Sequence, residues 1–187
     1  MNSSIPPTSP LPTHEAYYAS NLFEHGIGWV VAARFKSGGQ RAEVGVFCVN
    51  VWCLGVKVAH LDNTTPETYR SKIPGHYAAD FPMIPIAPCC ARKLVEGAVQ
   101  YAAHLGFAPH PDYKQASRVF GGIKPEACAE EFVYGKNGKP FYLRGPSESE
   151  DRARLIVRQL EHRCGKGNFD YLVTLGTTAD INADFGQ

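Results

Sequence analysis

Between Pro88 and Asp112 the apolar residues Ala91, Leu94, Val95, Ala98, Ala102 and Leu105 recur at steps of three and four. That period places them on one stripe of an α-helix, with Arg92, Lys93, Glu96, Gln100 and His104 on the other side. Pro88 suits a first turn, where a missing N–H costs nothing, and Gly106 suits a left-handed C-terminal residue. A second stripe, Ala153, Ile156, Val157, Leu160 and Cys164, runs to Gly165 and predicts a helix opened by a capping box, with Ser147 as cap and Glu150 three residues later.

Elsewhere the period is two. Ile27, Trp29, Val31, Ala33 and Phe35 alternate, and Lys36–Gln40 reads as a turn. Arg41–His60 is a long β-rich run, expected to be one strand bent or broken near Leu54-Gly55, with a centre around Val46–Leu54 covered on both faces. Asn137-Gly138 between Glu131–Gly135 and Pro140–Arg144 predicts a hairpin. Phe169–Leu175 reads as a last strand, and His14–His25 as a short helix ending at Gly26. Asp112 is placed to cap a helix over Tyr113–Phe120, closed by Gly121-Gly122. Leu61–Ala87, punctuated by Pro66, Pro74, Pro82 and Pro85, reads as a long loop holding a short helix over Thr65–Lys72.

The order of elements is that of an α+β fold: a single domain over residues 14–175, with antiparallel hairpins in a mixed sheet packed against two to three main helices. Residues 1–13 are expected to form a flexible arm and 176–187 a tail.

Composition narrows the function little. The chain has 187 residues, 44% of them hydrophobic, and a formal charge of +1, so no global field draws it to nucleic acid or to an acidic membrane. That near-neutrality opposes self-association weakly, which leaves a homodimer open. No apolar run approaches the roughly 18 residues needed to span a bilayer. Met1–Thr13 lacks the basic and apolar regions of a secretory signal, so the six cysteines are read as reduced thiols in a cytoplasm.

No phosphate loop, dinucleotide fingerprint, nucleophile elbow or zinc-spaced cysteine pair occurs. Weaker constellations remain. His104, His110 and Asp112 flank one turn and are competent as a catalytic acid–base set or as ligands of a divalent metal, although a helix-dipole histidine and a capping aspartate are the more economical explanation. Cys53 with His60 and Asp62 would need a bend to meet, and Cys89-Cys90 opens the first helix, where a thiol pKa falls. Arg154 and Arg158, flanked by Arg152 and Arg163, form a ridge on the second helix. Lys136 and Lys139 alternate with Phe132, Tyr134, Phe141 and Tyr142, the pattern on which single-stranded nucleic acid stacks. The long loop adds Tyr69, His76 and Tyr77, beside Asp62, Arg70, Lys72 and Asp80, as binding groups.

The resulting expectation is a small cytosolic binding or accessory module. It would recognise a protein or nucleic-acid partner, not a membrane, through the Asn137-Gly138 hairpin, the arginine helix and the long loop. The alternative is a small hydrolase or nuclease built on His104, His110 and Asp112. No cofactor is named by the pattern.

Overall fold

A computed structural model describes residues 13–36, 38–75 and 81–173. The arm and tail expected at the two ends lie almost wholly outside these, as do His76, Tyr77 and Asp80. The fold is α+β, with a five-stranded antiparallel sheet at its centre. Its strands are β1 (His14–Ala19), β2 (Ile27–Phe35), β3 (Ala42–Asn50), β4 (Gly55–Thr64) and β5 (Met83–Pro85), in the spatial order β4-β3-β2-β1-β5. The β2–β3 hairpin runs in register from Ile27↔Asn50 to Phe35↔Ala42, as the alternation predicts.

Two sequence readings change here. His14–His25 is mostly strand: only α1 (Leu22–His25) is helical, ending at Gly26 with φ +73°. Pairing of β1 with both β2 and β5 decides the conformation over Tyr17 and Tyr18, residues at home in strands. The run Arg41–His60 is broken rather than bent, and the break is a full reversal into two antiparallel strands. The Asn50 side-chain oxygen accepts the N–H groups of Cys53 (2.8 Å) and Leu54 (3.0 Å), closing a turn, and Gly55 (φ +65°) starts the return. The turn was hidden because it is apolar: Val51, Cys53 and Leu54 are buried beneath other elements.

One face of the sheet carries Ala16, Val30, Ala32, Phe47, Val49 and Ala59 against Ala91, Leu94, Val95 and Ala98 of α3 (Pro88–His104), the helix expected from its stripe. Gly106 follows with φ +85°. Next come α4 (Tyr113–Ala116) and a 3₁₀ turn (Ser117–Phe120), which divide the single helix expected there; the Asp112 side chain makes no cap bond. On the opposite face Tyr69 and Ile73 of α2 (Pro66–Gly75) cover Val31, Ala33, Val44 and Val46. The short helix expected near Thr65–Lys72 is thus present, and with β4 and β5 it leaves little of the described part of Leu61–Ala87 as loop.

A second core forms where α5 (Glu150–Cys164) packs Ala153, Ile156 and Leu160 on Cys53, Leu54, Leu105, Tyr142 and Phe169. Its cap is Ser149, whose hydroxyl accepts the Arg152 N–H at 3.2 Å, and not Ser147. The Asn137-Gly138 turn has the expected left-handed pair, φ 53° and 78°, but its arms do not form a hairpin beyond the Lys136↔Lys139 bridge. Instead β6 (Phe141–Leu143) pairs in parallel with β7 (Asp170–Leu172).

Residues 121–134 become a strap laid along α3. Arg92 donates to the carbonyls of Gly121 (3.3 Å) and Ile123 (2.5 Å), and Lys93 to those of Cys128 and Glu130. The Tyr134 hydroxyl donates to Leu94 O at 3.0 Å, and Cys90 is disulfide-bonded to Cys128. The reading of all six cysteines as thiols is therefore corrected for these two, and the argument for a reducing compartment loses its premise. Gly97 lets the strap lie this close, because a Cβ there would overlap the Tyr134 hydroxyl. Gly97→Ala is expected to displace Tyr134 and cost about 2 kcal/mol despite alanine's better helix propensity. Urea denaturation checks this; a stabilised variant would contradict the close approach.

Candidate binding cleft

A cleft of about 570 Å³ opens between the start of β4, the 106–111 loop after α3 and the first turns of α5. Leu54, Val56, Phe107 and Ile156 line it with apolar surface, and Leu155 stands 56% exposed on α5. Its polar groups are Lys57, Glu148, His110, Arg152 and Gln159.

Lys57 owes its position to an irregularity in β4. The register slips between Cys48↔Val58 and Val49↔Val56, leaving Lys57 as the extra residue, which a bulge frees from the alternation. Its Nζ lies 3.0 Å from Glu148 Oε1, across 91 residues of chain. The other carboxylate oxygen, Glu148 Oε2, accepts the Tyr142 hydroxyl at 2.9 Å and the Gly145 N–H at 3.1 Å. Burial alone would push the Glu148 carboxyl up; the Lys57, Gly145 and Tyr142 hydrogen bonds outweigh it and hold the group below the usual range. Burial, followed by the bond to Glu148, drives the Tyr142 hydroxyl the opposite way.

His110 is held by its own backbone, whose N–H donates to Val56 O at 2.9 Å. Its Nδ1 accepts the Asp112 N–H at 3.2 Å, so the neutral ring carries its proton on Nε2 as a donor. The Asp112 carboxylate is 4.0 Å from the same Nδ1. His104, exposed in the last turn of α3, joins neither of them by any described hydrogen bond or ion pair. Among the described residues no group of three His, Cys, Asp or Glu side chains is placed to hold a metal ion. The turn thus brings His110 and Asp112 together, and no described contact adds His104 to them.

Most of the other sequence candidates are engaged within the fold. Cys53 is fully buried in the second core, its thiol pushed up to about 12 mainly by that burial, while His60 pairs with Asp62 at 3.5 Å on β4. Cys90 is consumed by the disulfide, and Cys89 remains a thiol. Arg154 is paired with Glu150 (3.2 Å) and Asp151 (3.6 Å). Arg158 is exposed beside a smaller groove shared with Tyr171 and Val173. Lys136 lies over the rings of Trp52 (4.4 Å) and Phe141 (4.6 Å), and Lys139 donates to Gly167 O at 3.0 Å. Tyr142 is buried and Tyr134 bonds to α3, so the basic–aromatic alternation is largely internal packing. Tyr69, offered as a binding group, is 1% exposed in the core beneath α2.

Lys57, Glu148 and Leu155 escaped the sequence reading. The available signal was slight: a single lysine inside the apolar run Leu54–Val58, and an apolar residue off the stripe of α5. No protein-family model, curated protein or solved structure matches the chain.

Proposed function

We propose that the chain is a binding module that receives a short apolar and acidic segment of a partner protein in this cleft. The supporting observation is the pairing of apolar surface with free donors. Leu155 is exposed beside apolar lining, and the Arg152 guanidinium has no acidic partner among the described contacts. The volume falls within the range of ligand sites. Glu148, the acid in the cleft, is already neutralised by Lys57, so Arg152 and the His110 Nε2–H favour an incoming carboxylate. An apolar side chain beside that carboxylate would cover Leu155.

A protein partner is favoured over nucleic acid because Arg154, Lys136 and Lys139 are engaged within the fold and Tyr142 is buried. A hydrolase built on His104, His110 and Asp112 is not favoured, since no described hydrogen bond or ion pair joins His104 to the other two. No helix among the described residues is long and apolar enough to cross a membrane, and no membrane partner is proposed.

Peptides selected from a random display library should converge on an apolar–acidic pattern, with affinity measured by calorimetry. Leu155→Asp is expected to weaken them about tenfold or more, the value of one buried leucine side chain. Val133→Asp, at a 72% exposed residue outside the cleft lining, should leave them unchanged. Selected peptides that bind Leu155→Asp as well as wild type would refute the assignment.

A further inference from the structure

The sheet ends differently on its two sides. β5 is three residues long, preceded by Pro82 and ending in Pro85, which blunts that edge against further pairing. β4 is ten residues long and contains no proline, and no strand among the described residues pairs on its outer side. Its first part is occupied, since Val56 O accepts the His110 N–H and Lys57 is turned toward Glu148. Among the described residues, the outer edge of the Val58–Thr64 ribbon is left unpaired, a template for another strand.

We infer that this ribbon pairs antiparallel with the same ribbon of a second copy, about a two-fold axis at Leu61. The side chains select both partner and register. Ala59 and Leu61 belong to the α3 side of the sheet, while Val58, His60 and Asp62 alternate to the other side. A two-fold pairing that keeps the α3 side continuous must place residues of like parity opposite each other. Centred on Leu61, it sets His60 against Asp62 of the other copy twice over, Leu61 against its twin, and Val58 against Thr64. Centring on Asp62 would oppose two carboxylates, and centring on His60 would oppose two imidazoles and set Asp62 against Val58. The ribbon is thus complementary to itself in one register. Val58 is 39% exposed, an apolar group such pairing would cover. The formal charge of +1 opposes association little. Closed two-fold pairing also removes the exposed edge from further growth.

Sedimentation velocity on the full chain over a concentration series tests this. Wild type is expected to be dimeric at micromolar concentration. Asp62→Lys, which sets lysine against His60, should raise the dimer dissociation constant about tenfold or more. The double variant His60→Asp/Asp62→Lys restores opposite charges across the axis and should restore the dimer. Circular dichroism verifies folding; should Asp62→Lys unfold, His60→Asp, which opposes two carboxylates in the same pairs, is read in its place. A monomer at every concentration overturns the proposal, as does a dimer indifferent to these charges or one that the double variant fails to recover.

Discussion

Cys128→Ser is expected to lower the stability of the chain by about 4 kcal/mol, the loop-closure value for a link spanning 38 residues. For a domain of this size that is a fall of about 10 °C in melting temperature. The variant is preferable to a reductant as a probe, because both sulfurs are buried. The loss should be felt first in the strap over residues 121–134. That segment has only a single 3₁₀ turn as regular structure and is otherwise held through Arg92, Lys93 and Tyr134. Hydrogen exchange should therefore accelerate there before it does in β2 or β3. Thiol titration of the denatured, unreduced wild type should find the four free cysteines Cys48, Cys53, Cys89 and Cys164. Six thiols, or a melt that ignores the substitution, would refute the link.

Glu148→Ala is expected to cost about 3 kcal/mol. It takes one acceptor from Lys57, from the Gly145 N–H and from the buried Tyr142 hydroxyl together, and donors left without partners account for most of the loss. Glu148→Gln keeps an acceptor and removes the charge, so it should cost about half as much. The two effects separate with pH. The folded Glu148 carboxyl titrates below its ordinary value, so the unfolded chain binds its proton first. Its stabilisation is complete above the ordinary glutamate range and is lost as pH falls through the depressed folded value. The gap between wild type and Glu148→Gln should therefore be widest near neutrality and close in acid. Urea titrations at neutral and acid pH measure it; a gap of the same size at both would mean that the Lys57 pair is not its source. Because Glu148 lines the cleft, Glu148→Gln should also alter peptide selection there, whereas Cys128→Ser, outside the cleft lining, should not.

What the chain reveals without its fold is what neighbours along it decide. The stripe from Ala91 to Ala102 is spaced by the helix itself, and Gly106 ends that helix because a left-handed residue is needed one step beyond it. Ile27–Phe35 alternates because one strand meets two different faces, and Asn137-Gly138 turns because both residues tolerate positive φ. The α+β class follows from such local periods. The outcomes that only packing decides are those in which the deciding partner is distant. Tyr17 and Tyr18 extend because β2 and β5 lie beside them, and Asn50 ends a strand that continued apolar sequence seemed to carry forward. Glu131–Gly135 leaves its hairpin because α3 offers Lys93 and a leucine carbonyl. Tyr69, polar at one atom, is drawn under α2 by its ring. The cleft belongs to the same class. Lys57 and Glu148 mean little in their own segments and define a site only when a bulge and a helix start are brought to 3.0 Å, since charge pairing depends on distance in space and leaves no period in sequence.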